Sequence, residues 1–185
     1  MGYQQALEKA WHDLSAATDK KNMSVQFLSD SYDINIPGRQ ILSASCNVPA
    51  KDHLAVILLH YLAQKLALKS LPEPSGEWID FNQLEGGEVY YPTFRKRTIE
   101  HILRKFGQKS GDFTLSLARF PTKPASFGDV GVVVYPFEEV GILITLWNGD
   151  GELGPDANIL YDKNISKIFC TEDIVVLTEI IIHQL

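Results

Sequence analysis

Cysteine is scarce in this chain: Cys46 and Cys170 are the only two, and they stand far apart. Neither belongs to a C-x-x-C pair, which argues against an iron–sulfur or zinc–thiolate site built by this chain alone. Two free thiols suit a reducing compartment. The start, Met1-Gly2-Tyr3-Gln4-Gln5, has no basic-then-apolar run, so no export signal is expected. The longest apolar run, Leu54 to Leu59, is far short of the ~20 residues a membrane span needs. These shortages predict a cytoplasmic protein without membrane association. A broad positive field is missing too. The net charge is −6, and Arg95 to Lys109 hold six basic residues against one acid, Glu100. That window carries +5 and the remaining chain −11, which disfavours nucleic acid while leaving room for a local anion site.

What is present fits one α+β domain spanning residues 1–185, at ~100–200 residues per domain. Ala6, Ala10, Trp11, Leu14 and Ala17 recur at helical spacing, predicting a helix over Gln4 to Thr18. Tyr32, Ile34 and Ile36 alternate as in a half-buried strand. Pro37-Gly38 marks a turn, and Ile41 to Cys46 forms the returning arm of a hairpin. Asp52 is the expected N-cap of an apolar helix from His53 to Lys69. After the rigid Leu71–Gly76 loop, a strand is expected over Trp78 to Leu84. A helix then runs from Tyr91-Pro92 to Phe106, with Gly107 as its cap. Asp112 opens a short helix to about Phe120. Asp129 to Tyr135 and Gly141 to Trp147 form an antiparallel hairpin, a loop spans Asn148 to Asn158, and Thr171 opens the last helix. Strands arrive in hairpins with helices between them, giving an antiparallel or mixed sheet with helices packed on it.

Two segments carry candidate chemistry. The loop Trp147 to Asn158, continued by Tyr161-Asp162, holds Asp150, Glu152, Asp156 and Asp162, oxygen donors of the kind hard cations prefer. It is no EF-hand: with Asn148 in first position, Leu153 stands where glycine is needed and Ile159 where the closing glutamate belongs. The four acids read as an irregular metal loop, as an acid/base pair, or as an ordinary exposed acidic turn. The second segment runs from Gly76 through Trp78, Gly86-Gly87, Tyr90-Tyr91 and Pro92 to Arg95, Lys96 and Arg97. A glycine pair before a basic helix start suits an anion, or is a tight turn before a solvated face. His53 and His60 stand two helical turns apart, about 10 Å, too far for one metal ion. His60 is expected as a hydrogen-bonded core residue. Cys170 precedes a helix start, where a thiolate is favoured. The patterns H-E-x-x-H, G-x-S-x-G, G-x-G-x-x-G and the P-loop are absent.

The chain also resembles a known family. Met1-Gly2-Tyr3 through Trp11, Gly76-Glu77-Trp78 with Phe81, Gly86-Gly87 and Tyr90-Tyr91-Pro92 with Phe94 carry its N-terminal part. Leu146-Trp147, Gly149-Asp150, Glu152, Pro155, Ala157-Asn158, Leu160, Asp162 and Thr171-Glu172-Asp173 carry the rest. Together they are similar to domain-of-unknown-function family 3786, found in bacteria and archaea, many of them anaerobes. Lys20 to Val48 lies outside the resemblance. The family implies no activity, ligand or cofactor. Some relatives are associated with a cysteine-rich iron–sulfur module, which this chain lacks. The resemblance implies that the two candidate segments share one surface.

The leading expectation is a small-ligand-binding or accessory protein. Its cleft is lined by Trp78, Tyr90, Tyr91, Arg95 and Arg97 with Trp147, Asp150, Glu152 and Asn158, and takes a small anionic ligand. The alternatives are metal-assisted hydrolysis at Asp150 and Glu152, and docking of an acidic protein partner on the Arg95–Lys109 face. The sequence names no cofactor and no oligomeric state.

Overall fold

The computed structural model describes residues 2–150 and 152–185. Among them are six α-helices and eight strands in two antiparallel sheets. Helix α1 spans Gly2–Ala17. Strands β1 (Asn22–Phe27), β2 (Asp30–Asn35) and β3 (Gln40–Ser43) form the smaller sheet in the order β1-β2-β3. Helix α2 (Asp52–Ala67) follows. The larger sheet runs β4-β8-β7-β6-β5, from β4 (Trp78–Asp80), β5 (Thr122–Ala125), β6 (Val130–Phe137), β7 (Val140–Trp147) and β8 (Asp156–Asp162). Between β4 and β5 lie α3 (Gly87–Arg97), α4 (Ile99–Phe106) and α5 (Ser110–Leu117), and α6 (Thr171–Ile182) closes the chain. The architecture is α+β with helices packed on open antiparallel sheets. No described helix is long and apolar enough to cross a membrane.

Helix α2 lies against the centre of the core because its apolar residues surround it: Ala55 through Leu59, with Tyr61 and Leu62, are buried. It packs against both α1 and α6. Burying one such leucine stabilises by about 1.5–3 kcal/mol. The Tyr61 ring stacks on Phe137 with centroids 3.9 Å apart, tying α2 to the end of β6. The smaller sheet is pinned to the larger where the Leu28 N–H donates to the Pro136 carbonyl at 2.8 Å. Alternation divides the larger sheet: Ile142, Ile144, Leu146, Ala157, Ile159 and Tyr161 join the core. The register places Leu143, Thr145, Trp147, Asn158, Leu160 and Trp78 on the opposite face.

Several local expectations are corrected. The strand begun at Trp78 ends at Asp80, whose carboxylate accepts from the Asn82 N–H at 3.0 Å and starts a 3₁₀ turn over Phe81–Gln83. The helix expected from Tyr91 starts at Gly87, so Pro92 sits in its interior. It breaks at Thr98, whose hydroxyl donates back to the Phe94 carbonyl at 2.7 Å. The loop expected to reach Asn158 stops earlier, because Asp156 already opens β8. Asp52 is the first residue of α2, and Lys51 occupies the N-cap without any side-chain cap. Strand β1 was not foreseen, nor was β5. Pro124 is tolerated in β5 because that strand lies at the sheet edge.

Candidate functional site

A cleft of about 630 Å³ opens where α1 begins, α2 begins and α6 ends. That volume lies within the usual range for small-molecule sites, roughly 300–1,000 Å³. Its wall on the smaller sheet is Asp30, Tyr32 and Ser43, and the turn after β3 contributes Cys46 and Lys51. This turn is closed tightly. Ser43 N–H donates to the Val48 carbonyl and Ala50 N–H to the Ile41 carbonyl, both at 3.0 Å. Asn47 adopts φ 54, a left-handed conformation that asparagine tolerates better than most residues. Ser43 Oγ lies 2.5 Å from Asp30 Oδ2 and 3.1 Å from Cys46 Sγ. The Ser43 hydroxyl, then the Val48 N–H, hold the Cys46 thiol below its ordinary pKa. The Tyr3 ring lies 6.0 Å from that of His53, and His183 stands at the far side with Glu179.

The charges in the cleft are unequally matched. Asp30 accepts from Ser43 and from the Ser31 N–H at 2.8 Å, while Glu179 pairs with Arg97 at 3.2 Å. Lys51, His53 and His183 have no ion-pair partner among the described residues. The uncapped N-terminus of α2 borders the same space and adds positive potential, opposed by the C-terminal end of α6 at His183 and Gln184. Asp52, the acid in that first turn, does not line the cleft.

The nine residues singled out in the sequence are distributed differently. Their two segments adjoin: Asn158 Nδ2 donates to Asp80 Oδ2 at 3.1 Å, and Arg95 approaches Asp156 at 4.0 Å. Trp78 pairs with Asp162 at one end of β8 and Trp147 with Asp156 at the other. Six residues of strand separate them, about 20 Å, so the two indoles do not meet over one small molecule. Tyr90 and Arg97 line a groove of about 350 Å³ against Val175 and Val176 of α6. Tyr91 is half-buried beside Phe94.

The acids of the loop are largely engaged in shaping it. Asp150 Oδ1 accepts from the N–H groups of Leu153 (2.8 Å) and Glu152 (3.0 Å), which hold its carboxyl below the usual pKa. Asp162 accepts from Ser75, Gly76 and Asn164. Burial pushes its pKa up, but those donors outweigh burial and leave it lowered. Asp156 and Glu152 are exposed, and Gly151 lies outside the described residues. Among the described residues no group of three or more His, Cys, Asp or Glu side chains could hold a metal ion. Cys170 is the N-cap of α6 and exposed as a residue, yet partial desolvation of its thiol, reinforced by Asp173 and Glu172, pushes it up to about 11. The thiolate expected there is therefore disfavoured.

Sequence reasoning missed the cleft because its parts are scattered. Asp30, Tyr32, Ser43 and Cys46 fall in the stretch outside the family resemblance, and His53 was weighed only as a metal ligand beside His60. The one available signal was Lys51-Asp52-His53 at a helix start. No curated protein and no solved structure matches the chain. A family model matches residues 6–184, nearly the whole sequence, and the chain belongs to the family described as Domain of unknown function (DUF3786).

Proposed function

We propose that this protein binds a small organic anion, a carboxylate or phosphate monoester, in the cleft at the starts of α1 and α2. One observation carries the reading: Glu179 is paired with Arg97 and Asp30 is held by Ser43 and the Ser31 N–H, whereas Lys51, His53 and His183 have no ion-pair partner among the described residues. An anion there would gain charge-assisted hydrogen bonds without displacing an existing partner. Tyr3, Tyr32, Leu54 and Ile180 supply the aromatic and apolar surface that such pockets use for shape. The small-ligand expectation is kept, and its place moves from the larger sheet to the α2 terminus. A cytoplasmic setting belongs to the same reading, since both cysteines are exposed and unpaired.

A thermal-shift panel of mono-, di- and tricarboxylates and phosphate monoesters tests it. A fitting ligand at a hundred times its Kd adds about 2.7 kcal/mol, raising the midpoint by roughly 5–10 °C for a chain this size. Lys51→Ala should abolish most of that rise, and Asp150→Ala should leave it intact. A rise that survives Lys51→Ala, or follows Asp150 instead, would overturn the assignment.

A further inference from the structure

The cleft continues past the turn of α6 that carries His183. Helix α6 lines it with Val176, Glu179, Ile180 and His183. The same helix lines the groove of about 350 Å³ against α3 with Glu172, Val175 and Val176. Spacings of three and four put all of these residues on one face of α6. The two spaces adjoin, because Val176 borders both. From His183 back to Val175 that face runs about 12 Å, at ~1.5 Å per residue.

The face changes character along its length. At one end His183 shares the cleft with Lys51 and His53, and none of the three has an ion-pair partner among the described residues. Ile180, Val176 and Val175 follow, apolar and only half-buried. Across from them α3 supplies the buried Phe94 and the exposed ring of Tyr90. Arg97 of α3 lines the groove and Glu179 of α6 the cleft, and they pair at 3.2 Å, so this acid of the face is already compensated. Beyond Arg97 no lysine or arginine lines the groove, and Glu172 stands at its far end. A second anionic group therefore finds no partner there, whereas an alkyl chain finds apolar surface on two sides.

Resting on the anion cleft assigned above, we propose that its ligand is a medium-chain alkyl carboxylate or alkyl phosphate. The anionic head lies at Lys51 and His183, and the tail follows α6 into the groove against Tyr90. A path of about 12 Å takes an extended chain of roughly eight to ten carbons. Calorimetric titration of the whole protein with butyrate and octanoate, and with butyl and octyl phosphate, tests it. In the pair whose head fits, the octyl-length ligand should bind roughly tenfold more tightly, since each of four half-covered methylenes contributes about twofold. 1-Octanol should not bind measurably. Tyr90→Ser and Val175→Asn should each cut the chain-length gain to about threefold or less, and Lys51→Ala should weaken short and long anions alike. Tyr90 is exposed and stands outside the core cluster, so its variant keeps the test sound if Val175→Asn fails to fold. Equal affinity for short and long anions would overturn the proposal and leave the anion cleft standing. A gain that survives Tyr90→Ser, or octanol binding as tightly as octanoate, would also overturn it. No saturable binding of any of the four anions at millimolar concentration would overturn the cleft and its extension together.

Discussion

Cys46 and Cys170 show how neighbours decide the chemistry of one side chain. Both are exposed, but Cys46 has Ser43 Oγ 3.1 Å away and a lowered pKa, whereas the partly desolvated Cys170 thiol, with Asp173 and Glu172 beside it, is pushed up to about 11. At neutral pH Cys46 holds the larger thiolate fraction, the form that attacks a disulfide. Stopped-flow reaction with a chromogenic disulfide at neutral pH should therefore show one fast and one slow thiol, and Cys46→Ser should remove the fast phase. Asp162 offers a second residue-scale prediction. It ties the Ser75–Gly76 loop to the turn after β8, and Asp162→Ala should cost about 1–3 kcal/mol in urea unfolding. Its folded pKa lies below the unfolded value, so its contribution is complete above pH 3.8 and is lost as pH falls through the folded value. The loss measured for Asp162→Ala should accordingly shrink in acid.

At the scale of elements, the junction between the 3₁₀ turn and α3 depends on Gly87. A Cβ there would lie 2.0 Å from the Phe81 carbonyl oxygen, a backbone atom fixed by the stack of Phe81 on Phe94 at 4.0 Å. Gly87→Ala should destabilise by about 2–4 kcal/mol in urea melts, as overpacking against a rigid partner does, while Gly111→Ala, with open space around it, should not. Elements with strong periodicity were legible: α1, α2, the β6–β7 hairpin and α6 all lie where the apolar spacing puts them. Strand β8 was lost because Asp156, Asn158 and Asp162 imitate turn residues. Ala157, Ile159 and Tyr161 alternate between them into the core. The break at Thr98 was hidden because Phe94, Ile102 and Phe106 keep helical spacing across it, and only the back-bond to Phe94 reveals it.

Across the whole molecule, the arrangement of charge follows from the arrangement of helices. Helices α1 and α2 bring their positive ends, with Lys51 and His53, to the cleft, and α6 brings its negative end there, with His183 and the Arg97-paired Glu179. This could not be read along the chain, since Tyr3, Cys46, His53 and His183 come from four separate segments that only tertiary packing brings together. The +5 stretch drew attention to α3 and α4, where Arg97 and Lys105 are already engaged with Glu179 and the carbonyl oxygen of Leu185. The central claim is that Lys51, with His53 and His183, holds a small organic anion at the start of α2. Amide NMR titration with the best carboxylate or phosphate of the panel tests it most directly. The account predicts saturating shifts centred on Cys46, Lys51, His53 and His183, with affinity falling about tenfold in Lys51→Ala. Shifts centred on Trp147 and Asp150, or affinity unchanged in Lys51→Ala, would contradict it.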